Sequence, residues 1–229
     1  MNRQITLKKM QSGFTLVEIA IVLVIIGLLL GGVLKGTELI ESAKVKRAVS
    51  EMNGVTAALY AYQDRYKRLP GDDGPVASLK QRGGSWTDIT VGGGNNGVIN
   101  STNAQAFNPG NSESLGFWQH LKAAGFITGK ASDIGIPALP VNAFGGVIGV
   151  TADVAGVGAA PVLGGKVVCL SQVPGKSAAA IDVQLDDGNG NTGKIRSIAG
   201  NPGVNTPPAL TAGPVTYVET TFYTLCQQI

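Results

Sequence analysis

The sequence predicts an α+β fold: a long N-terminal helix packed on a head that ends in an antiparallel sheet. Three observations predict it. Residues 14–34 form an apolar run broken by a single acid, and residues 35–69 continue with apolar positions at three- and four-residue steps. The β-branched and aromatic stretches collect after residue 166, separated by turn residues. The chain therefore divides into a leader (1–13), an apolar half-helix (14–34), an amphipathic half-helix (35–69) and a head (70–229). The head is loop-rich over 70–165 and β-rich over 166–229.

Composition narrows the class. Hydrophobic residues make up 44% of the chain and charged residues 14%, which is too apolar for disorder. The 33 glycines follow no three-residue period, so collagen is excluded. The formal charge of +3 resides in the leader, at Arg3, Lys8 and Lys9. Without residues 1–13, 18 − 3 = 15 basic residues face 15 acidic ones. A body with no net charge argues against general nucleic-acid binding.

The leader MNRQITLKKMQSG is polar and basic, and the apolar run begins at once. A secretory signal peptide would end in a small-x-small cleavage site, but the sequence after the run, GGVLKGTELIESAK, continues as good helix. An uncleaved anchor fits the length, since residues 14–34 as helix span about 31 Å. It leaves Glu18 unexplained, because a carboxylate in a membrane span costs roughly 2.5–3.5 kcal/mol on insertion scales.

Both ends of the run are explained by a resemblance. Gly13-Phe14-Thr15-Leu16-Val17-Glu18 is similar to the processing motif of type IV pilins and the pseudopilins of type II secretion. The resemblance is strong over about residues 8–65 and loose beyond. It implies a pilin-like lollipop fold and a prepilin peptidase that cuts between Gly13 and Phe14, then methylates the Phe14 amine. It also implies that Glu18 acts in assembly: helices pack in parallel with a stagger, and the carboxylate meets the amine of a neighbour. Paired in an apolar bundle, each charge offsets the other's desolvation. This chain departs from the family in having Lys35 where many members have a kink-forming proline. Gly27, Gly31, Gly32 and Gly36 nearby can supply flexibility instead, and Gly27 and Gly31 also suit close helix approach. Basic residues in the leader put residue 1 in the cytoplasm and the head beyond the inner membrane.

Leu39, Ala43, Val49, Met52, Val55, Leu59, Tyr62 and Tyr66 make the stripe of the second half-helix, which Leu69-Pro70-Gly71-Asp72-Asp73 ends. Arg65, Lys67 and Arg68 with Tyr62 and Tyr66 form a basic-aromatic cluster of a kind that contacts DNA phosphates, although the stripe claims both tyrosines for packing.

In the head, residues 71–111 are rich in Gly, Asn, Ser and Thr and read as an exposed connection with one or two short strands. They include the glycosylation pattern Asn100-Ser101-Thr102. Residues 112–125 read as a short helix capped by Asn111 or Ser112, with Leu115, Trp118 and Leu121 inward and His120 at the surface or half-buried. Lys166–Gln172, Lys194–Ala199 and Val215–Cys226 read as strands. Ser177–Asp186 fits a helix and a strand equally well. In an extracytoplasmic head Cys169 and Cys226 are expected to bond, and staples near the C-terminus are common in pilin heads.

Sites for chemistry are sparse. Asp187, Asn189 and Asn191 have the spacing that opens a calcium loop, but the rest of that pattern fails, and a tight turn is the preferred reading. Pro174-Gly175-Lys176-Ser177 lacks the first glycine of a phosphate-binding loop. One histidine and no CxxC or GxSxG leave no metal or nucleophile constellation, so neither an enzyme nor a cofactor is expected. The resemblance implies a structural subunit of a type IV pilus-like filament, with copies of itself, other pilins and an assembly machinery as partners. Its location would be the inner membrane as precursor, then an extracellular pilus or a periplasmic pseudopilus. The alternatives are a type II secretion pseudopilin and a non-polymerising anchored binding module.

Overall fold

The computed structural model of the 229-residue chain describes residues 13, 15–152, 154, 163–209 and 216–229. The leader up to residue 12, Phe14 and Val215 lie outside the described residues. In chain order the elements are α1 (Leu16–Tyr66), α2 (Val76–Lys80), α3 (Glu113–Ala123), β1 (Ile148–Thr151), β2 (Val167–Pro174), α4 (Gly175–Leu185), β3 (Ile195–Gly200) and β4 (Phe222–Gln228). Short 3-10 turns occupy Gly84–Asp88, Asn103–Ala106 and Ile136–Ala138. The chain forms two compact units, Met1–Glu41 and Ser42–Ile229.

The first unit is the apolar part of α1. It is long and apolar enough to cross a membrane. Its large side chains are all exposed, from Leu16 to Leu34 and on to Leu39 and Ile40. Helical hydrogen bonding runs without a break through Gly27, Gly31, Gly32 and Gly36. A methyl group added at any of these four glycines would meet nothing within 4 Å among the described residues.

The second unit is an α+β body. Its sheet has the order β1-β2-β4-β3, every neighbouring pair antiparallel. Val45, Ala48, Val49, Met52, Val55, Ala58, Leu59 and Tyr62 form the buried face of α1, in one core with Val168, Leu170 and Leu225 of the sheet and with Phe117, Trp118 and Leu121 of α3. The stripe read from the sequence holds from Val49 to Tyr62. Leu39 and Ala43 are corrected: both are exposed, because burial on α1 starts only at Val45. The helix ends at Tyr66, just ahead of the Pro-Gly signal. Lys67 adopts a left-handed conformation (φ 55°), and its N–H closes on the Gln63 carbonyl at 2.8 Å.

Residues 71–111 hold no strand among the described residues. They carry α2 and two 3-10 turns instead, and Leu79, Trp86, Ile89, Val91, Ile99 and Phe107 turn into the core. The sparse apolar residues there are anchors of a packed loop, and their irregular spacing hid this. The strand expected over Val215–Cys226 is shifted to Phe222–Gln228. Residues 148–151, within a Gly/Val run with no polar alternation, form β1, which the sequence reading missed; all four are buried. Ser177–Asp186 resolves as helix α4, starting directly from β2. Gly149 explains why small residues fill this region: a Cβ there would sit 2.2 Å from the Ala106 carbonyl oxygen.

Cys169 and Cys226 face each other across β2 and β4 and are disulfide-bonded, with Cα atoms 4.0 Å apart and a sequence separation of 57. Both are buried. Replacing the pair by Cys169→Ala and Cys226→Ala is expected to lower unfolding stability by about 4 kcal/mol on the chain-entropy estimate. Urea titration of the full chain, with and without the pair, measures it.

Candidate processing and assembly site

The N-terminal end of α1 is built by a reciprocal pair of side chains. The Thr15 N–H and the Thr15 hydroxyl both donate to Glu18 Oε2, at 2.8 and 2.7 Å, and the Glu18 N–H donates to Thr15 Oγ1 at 3.3 Å. This is a capping box, in which two of the helix's orphan donors are satisfied by side chains three residues apart. A carboxylate there also faces the positive end of the helix dipole. Glu18 thus has a local role within the chain itself, which the sequence reading overlooked. The Thr15-Leu16-Val17-Glu18 spacing was the legible signal. Gly13 is exposed, and a Cβ added there would meet nothing within 4 Å among the described residues. Phe14 lies outside the described residues.

Next to this polar cap, α1 offers no other ionisable side chain before Lys35, which pairs with Glu38 at 2.7 Å on the exposed surface. The arrangement can present one carboxylate and an accessible Gly13 peptide at the head of an apolar rod.

The remaining sequence candidates are placed as follows. Asp187, Asn189 and Asn191 do come together, but as a turn. Asp187 accepts from the Asn189 N–H (2.9 Å) and from the Thr192 hydroxyl, while Asn189 Oδ1 accepts from the Asn191 N–H (3.3 Å). The Thr192 bond holds the Asp187 carboxyl below its ordinary range. Asp182, Asp186 and Asp187 present oxygens within 4.8 Å of one another. Asp182 takes the Tyr217 hydroxyl at 2.5 Å and the Gly188 N–H at 3.2 Å, and Asp186 takes the N–H groups of Lys194 and Ile195. Each acid is thus engaged by the chain's own donors, and burial pushes the Asp182 carboxyl upward.

The basic-aromatic cluster at the end of α1 is divided by packing. Tyr62 is fully buried and its hydroxyl donates to Asp73 Oδ2 at 2.7 Å. Tyr66 lies under the guanidinium groups of Arg82 (4.5 Å) and Arg65 (5.3 Å) and against the edge of Trp86. Neither ring is open for stacking on a base. Asn100 is exposed, and its N–H donates to Glu113 Oε2 at 2.6 Å.

In α3, Ser112 holds the cap position without capping, because its hydroxyl donates to the Pro109 carbonyl. Leu115, Trp118 and Leu121 are buried, and so is His120, which corrects the surface or half-buried placement. Nine successive residues of α3 are buried, so this helix has no solvent face at its centre. His120 Nδ1 accepts from the Gly71 N–H (3.0 Å), which leaves Nε2 to donate to the Val91 carbonyl (2.9 Å). Burial lowers its pKa from 6.5 to about 4. The unfolded chain therefore binds a proton that the folded chain refuses. Stability is complete above pH 6.5 and falls as pH drops towards 4, by about 3 kcal/mol. Denaturant midpoints at pH 7 and pH 4.5 test this, and His120→Gln, with one acceptor and one donor of its own, should flatten the dependence.

Residues 8–34 match the model of the prokaryotic N-terminal methylation motif. No curated protein and no solved structure matches the chain.

Proposed function

We propose that this chain, which carries in residues 8–34 the methylation signature of type IV pilins and pseudopilins, is a structural subunit of a type IV pilus-like filament. The precursor sits in the inner membrane through α1. A prepilin peptidase cuts between Gly13 and Phe14 and methylates Phe14, and the released subunit joins copies of itself through the apolar part of α1. The observation that carries the reading is the pairing of that motif with an exposed apolar half-helix. The large side chains from Leu16 to Leu34 are exposed, and among the described residues the glycines of this stretch lie open for close approach by another helix.

In this reading Glu18 has two successive partners. In the single subunit it caps α1; in the filament it also meets the Phe14 amine of a neighbour, where pairing offsets the desolvation of both charges. The disulfide-stapled head and the long packed loop before β1 favour a pilin over a secretion pseudopilin.

Mass spectrometry of a sheared surface fraction tests the proposal. A chain beginning at methylated Phe14 in sheared filaments is the expected result, and retention of residues 1–13 in the cell would sink it. In a deletion strain, loss of protein export with motility and DNA uptake intact would reassign the chain to a pseudopilus.

A further inference from the structure

The end of β3 and the start of β4 border a cavity of about 430 Å³ that polymerisation through α1 does not use. Gly200 of β3 lines it, with Asn201 and Thr206 of the loop that follows. Thr220 and Thr221, in the turn before β4, and Phe222, the first residue of β4, line it from the other side. None of the lining residues is charged.

Both sides of the cavity are held by groups that do not line it. The Thr206 carbonyl accepts from the Thr224 hydroxyl at 2.7 Å, and the neighbouring Asn205 Oδ1 accepts from the Ser171 hydroxyl and the Gln172 amide at 2.7 and 2.9 Å. Across the cavity, the Thr221 N–H donates to the Val218 carbonyl at 3.0 Å, and the Thr221 carbonyl accepts from the Gly175 N–H at 2.8 Å. The lining side chains are not spent in this way. Among the described residues, the hydroxyls of Thr206, Thr220 and Thr221 and the Asn201 amide make no hydrogen bond. Each keeps a donor and an acceptor for a ligand, on a framework already fixed.

Phe222 supplies the apolar counterpart. In the sheet it pairs with Pro174 on one side and Gly200 on the other. A glycine opposite leaves the flank of the ring towards β3 without a cross-strand side chain. Thr206 enters there instead: a Cβ on Gly200 would lie 2.6 Å from Thr206 Oγ1. Ring and hydroxyl therefore stand close together. Phe222 is only half-buried, although Tyr223 to Cys226 after it are all buried.

These features select a ligand class. With no charged lining residue, the cavity offers neither an anion nor a cation a counter-charge. A purely apolar ligand would cover four side-chain hydrogen-bonding groups without pairing them. We infer that the cavity binds a neutral saccharide. The sugar hydroxyls exchange hydrogen bonds with the three threonines and Asn201, and the C–H face of a sugar ring rests on Phe222. The inference is independent of whether the chain polymerises.

Saturation-transfer NMR provides the test, on the full chain in a detergent without a sugar head group, with maltose, cellobiose, lactose and diacetylchitobiose as probes. At least one should bind, with a Kd of about 1 mM. Thr206→Val and Thr220→Val keep the side-chain shape and remove only the hydroxyl, and each should weaken binding about fivefold. Phe222→Ala should weaken it about tenfold. Thr128→Val, at an exposed threonine outside the cavity, should leave it unchanged. Thr220 is exposed, so its variant stays informative even if Phe222→Ala disrupts β4. The proposal is overturned if no probe binds at about twenty times that concentration. It is also overturned if the Thr206 and Thr220 variants bind as tightly as the parent, or if Thr128→Val weakens binding as much as they do. It falls too if no saccharide binds while Thr220→Cys is alkylated in detergent and protected in sheared filaments, which would give the cavity to a neighbouring subunit.

Discussion

Glu18→Gln is expected to leave the start of α1 intact while reducing polymer yield by about tenfold or more, the equivalent of at least ~1.4 kcal/mol per subunit contact. The amide keeps an acceptor oxygen for the Thr15 N–H and hydroxyl, and capping boxes accept Glu and Gln alike. What it removes is the charge. In an apolar bundle the Phe14 amine of a neighbour would then be buried without a partner, which is far costlier than a lost cap. Thr15→Ala makes the opposite change: it loses the cap, at a cost of about 1 kcal/mol, and keeps the carboxylate. Circular dichroism of the detergent-solubilised chain and the mass of sheared filament separate the two effects. Should Glu18→Gln polymerise as well as the parent, Glu18 is a helix cap and nothing more.

Asp73→Ala is expected to cost about 3–5 kcal/mol of head stability. Asp73 is 3% exposed and joins three segments. Its Oδ2 accepts from the Tyr62 hydroxyl of α1 at 2.7 Å and from Arg82, in the loop after α2, at 2.9 Å. Without the carboxylate, the Tyr62 hydroxyl is a buried donor with no acceptor. Arg82 is left with the Tyr62 hydroxyl oxygen, at 3.3 Å, and the faces of Tyr66 and Trp86, each 4.5 Å from its guanidinium carbon. Asp73→Asn preserves an acceptor for Tyr62 and should lose only part of this. Equilibrium denaturation of the three proteins measures the difference, and equal losses in Asn and Ala variants would mean that the charge, not the hydrogen bond, dominates.

The parts of the fold that were readable in sequence are those with a period or a local chemical signature. α1 combines a membrane-length apolar run with a later stripe at helical spacing, and the Gly-Phe-Thr-Leu-Val-Glu string fixes where processing is expected. α3 carried its inward residues at the right spacing. β2 and β3 stood out through clustered Val and Ile. The parts that escaped lack such signals. β1 is four buried residues in a glycine-rich stretch, and the loop before it buries Trp86, Ile89 and Phe107 at irregular intervals. Such anchors are defined by what they meet in space, which no local pattern encodes.

The sequence by itself determined the N-terminal rod, its apolar surface, the placement of charge in the leader, and the identity of the two cysteines. These depend on residue type and short spacing alone. Only the tertiary structure decided that Cys169 and Cys226 lie opposite one another across β2 and β4, and that His120 is a neutral core residue between Gly71 and Val91. It alone decided which donors of their own loop engage Asp187 and Asn189. Each of these joins residues far apart in the chain, or turns on which donors reach a side chain once folded. That is settled by strand register and core packing, not by neighbours in sequence.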